Sequence, residues 1–243
     1  MDLNNKRVGI WLFGGAIGLI FLLFLQSCGK ETTAGPQGLN VQYEVLNLSP
    51  DLFPVNLYVN FKIVNKSLFS FPTSNSFSQN IGYFYLPSID TPFQIRSALT
   101  TNQTIFSRHD MLKVGLKYSL FITGTFSDQS IKQIFTVDTA SLPATGRGKI
   151  RFVNACPSVA NGLDVYANGT QAFSKVLYTE QSKYIELPIG NYDFKINING
   201  STTAQKEIPV VTIQDGRLYT LYAYGYTTRT DSATFNAAVI TNK

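Results

Sequence analysis

The sequence predicts an all-β protein built of two tandem antiparallel sandwiches behind a targeting segment. Three observations predict it. The 243 residues include 13 Tyr and 18 Phe, and Thr and Val alternate among polar residues, a usage that favours strands over helices. A strand–loop–strand passage is written twice: Tyr43-Glu44-Val45-Leu46-Asn47-Leu48-Ser49-Pro50 leads to Val55-Asn56-Leu57-Tyr58-Val59-Asn60, and Arg151 to Pro157 leads to Leu163-Asp164-Val165-Tyr166-Ala167-Asn168. The second copy then breaks into short runs divided by turn residues, the pattern of a sandwich.

Composition bounds the class. Apolar residues at 44% with 14% charged residues describe a folded chain, since a disordered one is more charged and less apolar. The formal charge of +5 is modest and scattered, with no Lys or Arg run, which argues against a nucleic-acid partner.

The chain opens with a charged n-region from Asp2 to Arg7, followed by an uncharged apolar run of 18 residues, 8–25. A signal h-region is usually shorter, and about 18 apolar residues also just span a bilayer. Cys28 separates the two readings. Leu25-Gln26-Ser27-Cys28 follows the run at once and resembles the lipobox of bacterial lipoproteins. In that motif the Cys is diacylated, the peptide is cut before it, and the new amine is acylated. Several chains on one residue anchor stably at ~0.8 kcal/mol per buried methylene, where a single chain is marginal. Residues 1–27 are therefore expected to be a lipoprotein signal peptide, with Cys28 lipidated and the membrane a partner through that anchor. Gly29 rather than Asp follows the Cys, so the resemblance implies the outer membrane, with cell surface and periplasmic face both open. Lys30-Glu31 resembles, in two charges only, the tether that exports some Bacteroidota lipoproteins. Residues 28–40 complete a flexible tether without apolar periodicity.

Repeat one is expected over 41–140, a linker over 141–147 and repeat two over 148–243, with the linker's polar character already beginning at Asp138. Leu86-Pro87 recurs as Leu187-Pro188, and Gly115-Leu116-Lys117-Tyr118 as Gly216-Arg217-Leu218-Tyr219, both at an offset of 101. The offset is 108 between Tyr58 and Tyr166, so repeat one carries extra residues within 61–80. A period near 100 is too long for a solenoid and points to whole domains. Repeat two is expected to hold strands near 149–154, 163–168, 183–187, 192–198, 207–213, 218–225 and 234–241. Asn168-Gly169 suits a two-residue hairpin, because both central residues need positive φ. Tyr219, Leu221 and Ala223 share one face, as do Tyr118, Leu120 and Ile122, and that face is the expected core side.

Repeat two resembles the bacterial domain-of-unknown-function family 4397, whose members are immunoglobulin-like sandwiches in exported and lipid-anchored proteins. The resemblance rests on Arg151-Phe152-Val153-Asn154-Ala155 with Pro157, Leu163-Asp164-Val165-Tyr166 to Gly169, Tyr184 to Pro188, Gly190-Asn191-Tyr192 and Gly216-Arg217-Leu218-Tyr219-Thr220. Repeat one departs in lacking Gly after Asn60 and in reading Ser-Ile-Asp after its Leu-Pro pair. The family has no defining catalytic centre, so the resemblance implies fold and location and no active site.

Residues for chemistry are sparse. An enzyme needs a nucleophile–base pair, paired carboxylates or metal ligands. His109, the only His, sits beside Asp110 in a loop-like stretch and reads as a surface residue. One His and one further Cys do not make a zinc site. Cys156 has no partner if Cys28 is lipidated, and reads as a buried small side chain. Gly146-Arg147-Gly148-Lys149 lacks the spacing and the following Ser or Thr of a phosphate loop. The expectation is a protein that is not an enzyme, without cofactor or metal.

Two features are candidates for binding a glycan or protein ligand. Tyr222, Tyr224 and Tyr226 alternate onto one face, opposite the core side. That stripe either stacks on sugar rings or seats a partner, or else it is covered by the other repeat or a loop. The segment 69–86 of repeat one is rich in aromatics and reads as either a functional loop or strand core. Asp138-Thr139-Ala140 and Asp231-Ser232-Ala233 resemble the O-glycosylation sequon of Bacteroidota, with Thr139 and Ser232 as acceptors. The resulting expectation is a lipid-anchored envelope protein that binds or scaffolds something outside the cytoplasm. The alternatives are a fimbrial or adhesin structural subunit and an accessory glycan-binding lipoprotein. A glycan on Thr139 or Ser232 adds mass to the mature protein, and an intact mass equal to peptide plus lipid removes both sites.

Overall fold

The computed structural model describes residues 40–65, 67–71, 82–87, 90–99 and 103–242. The expected signal peptide, Cys28, the expected tether up to residue 39 and residues 72–81 of the aromatic segment lie outside them. The described residues belong to one compact unit. Among the described residues there is no helix and there are sixteen strands.

Repeat one holds β1 (Val41–Asn47), β2 (Val55–Val59), β3 (Lys62–Ile63), β4 (Phe84–Leu86), β5 (Asp90–Ser97), β6 (Thr104–Met111), β7 (Lys117–Thr123) and β8 (Lys132–Val137). Repeat two holds β9 (Arg147–Ala155), β10 (Leu163–Ala167), β11 (Thr170–Val176), β12 (Ile185–Pro188), β13 (Gly190–Ile198), β14 (Ala204–Ile213), β15 (Leu218–Tyr224) and β16 (Asn236–Thr241). The sheets run β4-β1-β7-β8 and β3-β2-β5-β6 in repeat one, and β12-β9-β15-β16 and β11-β10-β13-β14 in repeat two. Adding eight to each label turns one pair of sheets into the other, so the duplication written in the sequence is a duplication of topology.

The all-β, two-domain class stands, with three corrections in detail. β1 pairs with β7 in parallel, as β9 does with β15, so each sandwich has one parallel pairing in an otherwise antiparallel set. Repeat two has eight strands rather than seven. The missed one, β11, is an edge strand that buries only Phe173 and Val176, leaving little apolar alternation to read. His109 is an exposed residue of β6, not of a loop.

Each sandwich fills its interior from alternate strand positions. In repeat two Ile150 and Phe152 of β9, Val165, Phe194, Ile196 and the Tyr219–Leu221–Ala223 face of β15 pack together. In repeat one Tyr43 stacks on Phe93 at 5.8 Å among Val45, Leu57, Ile95, Leu120 and Ile122. A third apolar cluster joins the repeats. Leu46, Leu48, Phe121 and Ile134 from the β1-containing sheet meet Val153, Ala155, Tyr222, Tyr224 and Ile240 from the β9-containing sheet. These two sheets therefore carry a core on both faces, and their strands read as nearly continuous buried runs.

Backbone constraints repeat as well. Gly124 and Gly225, just past β7 and β15, have φ of 87° and 79°, and an added Cβ would stand 2.3 Å from Ser130 O and 2.5 Å from Thr234 O. The hairpin Asn168-Gly169 has φ of 47° and 80°, and its counterpart Asn60-Phe61 has 48° and 62°. Phe61 thus holds a left-handed conformation that disfavours side chains. In urea denaturation Phe61→Gly is expected to gain about 0.5–1 kcal/mol, the strain relieved less the entropy glycine adds to the unfolded chain. Gly225→Ala is expected to lose roughly 2 kcal/mol or more. A stability loss for the first, or none for the second, contradicts these backbone assignments.

Candidate functional site at the junction of the repeats

The tyrosine stripe is where the junction begins. Tyr222 and Tyr224 are 4% and 2% exposed, so neither is available to a glycan, and the reading of these two residues as an open binding surface is corrected. The physical reason is that the face opposite the core of repeat two is covered by repeat one. The Tyr222 ring packs on Phe121 at 5.6 Å, and Phe71, from the long segment of repeat one, meets the Tyr224 ring edge-on at 6.0 Å. Burial raises the hydroxyl pKa of Tyr224 to about 12. Tyr226, past the end of β15, is half-buried, with the Arg229 guanidinium 5.8 Å from its ring.

Next to the stripe lies a buried polar network. The Asp138 carboxylate, fully buried, forms an ion pair with Arg151 of β9. Its Oδ1 also accepts Thr136 Oγ1 at 2.7 Å, while Oδ2 accepts Ser119 Oγ at 2.6 Å and Tyr83 OH at 2.7 Å. Arg151 directs Nε to Thr220 Oγ1 at 2.9 Å, and Nη1 to Val137 O at 2.8 Å and Gln181 Oε1 at 3.2 Å. Its guanidinium lies 4.9 Å from the Tyr184 ring centroid. Every polar end is thereby matched, the condition for a buried ion pair to be tolerated.

Equivalent positions of the two repeats build this network. Tyr83, Ser119 and Asp138 of repeat one correspond to Tyr184, Thr220 and Asn242 of repeat two. Asp138 N and Asn242 N donate to Lys117 O and Leu218 O, each at 2.8 Å, which fixes the last equivalence. Thr220 Oγ1 donates to Asn242 Oδ1 at 2.7 Å, as Ser119 does to Asp138. Asn242 Nδ2 crosses to Tyr83 OH at 2.7 Å, and Tyr184 OH crosses back to Asp138 O at 3.3 Å. The register pairs Glu44 with Ser119 and Arg151 with Thr220, so Glu44 is the counterpart of Arg151.

Glu44 is buried too, and among the described residues no Arg pairs with it as Arg151 pairs with Asp138. Burial is the main cause that raises its pKa to about 7, the Asp138 charge raises it further, and Ser119 and Lys117 oppose the rise. Ser119 has one hydroxyl proton and is closer to Asp138 than to Glu44 Oε2, which lies at 3.4 Å. The neutral Glu44 acid therefore suits this place better than the carboxylate.

The other sequence-selected residues are scattered. Thr139 and Ser232 are exposed, and Thr139 Oγ1 accepts Lys117 N at 2.9 Å. Asp138, read with the linker, is instead part of the junction. Cys156 is buried, burial raises its thiol pKa, and its Sγ lies 3.3 Å from Ser158 Oγ. Cys28 lies outside the described residues. Among the described residues no group of three or more His, Cys, Asp or Glu is placed to hold a metal. Sequence reasoning missed Glu44, Tyr83, Asp138, Arg151, Tyr184 and Asn242 as a set. The usable signal was polar residues at alternate positions of β1, β7, β9 and β15, opposite a clear core face.

Removing one partner of a buried ion pair leaves the other charge uncompensated, at about 3–5 kcal/mol. Arg151→Ala is expected to lose stability on that scale in chemical denaturation, and a loss below about 1 kcal/mol contradicts the junction described. Glu44 gives a pH signature. Its folded pKa, about 7, lies above its ordinary value of 4.5, so burial carries no ionisation penalty below pH 4.5. Stability then falls as pH rises through about 7, by on the order of 3 kcal/mol. Melting temperatures between pH 5 and 8 should show this decline for the native protein and a weaker one for Glu44→Gln; equal slopes contradict it.

A family described as "Domain of unknown function (DUF4397)" matches residues 41–161 and 157–243. The first match runs through β9, whereas strand pairing joins β9 to β12 and β15 of repeat two, so the matched spans and the structural repeats divide the chain differently. No curated protein matches the chain. Two matches that together run from residue 41 to residue 243, on a chain folded as two copies of one sandwich, lead to one statement of identity: the protein belongs to the DUF4397 family.

Proposed function

We propose that the protein is a non-enzymatic, lipid-anchored outer-membrane protein whose two repeats form one stiff module that binds or scaffolds an extracytoplasmic ligand or partner. The observation that carries this reading is the lipobox-like Leu25-Gln26-Ser27-Cys28 directly behind a charged n-region and an apolar run. The joined repeats support the scaffolding part. Their aromatic stripe and polar network are engaged in holding one repeat to the other, which leaves the outer sheets, β3-β2-β5-β6 and β11-β10-β13-β14, and the loop ends to meet a partner. A partner would thus engage a platform of fixed geometry, with little ordering entropy lost on binding.

Metabolic labelling with a palmitate analogue and membrane fractionation test the anchor. The native protein is expected to carry the label and to fractionate with the outer membrane, and Cys28→Ala to lose the label and leave that fraction. An unlabelled native protein, or a Cys28→Ala variant that stays in the membrane, overturns the reading in favour of an uncleaved span over residues 8–25.

A further inference from the structure

The geometry points to a second membrane contact: the rim of repeat one where the tether enters docks on an anionic phospholipid bilayer through Phe61, Met111 and Val114, flanked by Lys62 and Lys113. This inference rests on the lipid-anchor reading above.

Strand directions bring these residues to one end of repeat one. Gly115 N donates to Asn40 O at 2.9 Å and Gln42 N to Leu116 O at 3.1 Å, so the chain enters β1 against the β6–β7 turn. Val114 is in that turn, and Met111 ends β6 opposite Asp90, the first residue of β5. The β2–β3 hairpin reaches the same end of the sheet, with Asn60 N donating to Pro92 O at 3.4 Å. Phe61, Met111 and Val114 are 64%, 71% and 63% exposed. Lys62 and Lys113 are exposed beside them, and Asp110 is held by Arg108 at 2.8 Å. Apolar side chains flanked by two Lys suit the boundary between acyl chains and anionic headgroups.

Repeat two shows that the fold does not require these residues. At the matching positions it has Gly169, Thr212, Gln214 and Asp215 in place of Phe61, Met111, Lys113 and Val114. Phe61 moreover keeps an exposed ring at φ of 62°, where the counterpart glycine sits without strain. Local strain of this kind is retained where something else requires it. At these positions the apolar residues are thus found on the repeat joined to the tether, at the end where the tether joins, while the corresponding end of repeat two exposes Ile189 and Val210 instead. Eleven residues separate Cys28 from Asn40, so at about 3.4 Å per residue an acylated Cys28 holds this rim within roughly 40 Å of the bilayer.

The test uses the lipidated mature chain on phosphatidylethanolamine–phosphatidylglycerol vesicles. A polarity-sensitive fluorophore is placed at Met111→Cys, or at Phe53→Cys in the exposed loop at the opposite end of repeat one, both in a Cys156→Ser background. The expected result is a blue-shifted Met111 probe quenched by brominated acyl chains at least threefold more than the Phe53 probe. Replacing Phe61 and Val114 by Ser should reduce that difference. A chain that floats with the vesicles while both probes are quenched equally overturns the docking and leaves the anchor standing. A chain that fails to float overturns the anchor and the docking with it. A Met111 probe that is shielded from water yet unquenched by lipid indicates a protein contact and also overturns the proposal.

Discussion

The structure depends on a carboxylate with no access to water. Asp138 is surrounded by Arg151, Thr136, Ser119 and Tyr83, and the pairing with Arg151 ties the last residues of repeat one to the first strand of repeat two. A buried carboxylate is unfavourable by several kcal/mol unless its lone pairs are matched, so it fixes the geometry of everything that donates to it. Tyr184 and Asn242 close the arrangement from the other side, which gives the junction an approximate twofold character. Its charges break that symmetry. Two copies of repeat one would bring Glu44 and Asp138 against their like, and two copies of repeat two would oppose Arg151 to itself. Unlike repeats are the ones that fit.

The apolar half of the junction supplies adhesion where the polar half supplies register. Tyr222, Tyr224, Val153 and Ile240 against Leu46, Phe121 and Ile134 form a buried apolar contact comparable in character to the interior of either sandwich. Burial of apolar surface favours contact without specifying one orientation, whereas a hydrogen-bonded ion pair tolerates little displacement. Together they turn two domains with a short connection into one body. Such a body presents its loop ends in one fixed relation to each other.

Much of this fold was legible because both repeats write alternation clearly. Tyr219, Leu221 and Ala223 marked the core face of β15, and the duplicated loop of Asn47 to Pro50 and Asn154 to Pro157 marked the period. The same alternation placed Tyr222 and Tyr224 on the opposite face but could not say whether a further layer covers it, since that depends on residues about 100 positions away. Asp138 was hidden by its neighbours: Thr139, Ser141 and Pro143 make the stretch read as a linker, and burial is decided by Arg151, thirteen residues on. β11 was missed because an edge strand with two buried residues carries almost no period. The parallel pairings of β1 with β7 and β9 with β15 are set by tertiary topology, and local pattern does not record them.

The two repeats, held by the Asp138–Arg151 junction, are expected to fold and melt as one unit. Differential scanning calorimetry of the mature protein tests this most directly. The expected result is a single transition whose van't Hoff and calorimetric enthalpies agree, and that splits in two when Asp138 and Arg151 are both replaced by Ala. Two separate transitions in the native protein, each with the enthalpy of one repeat, would contradict it.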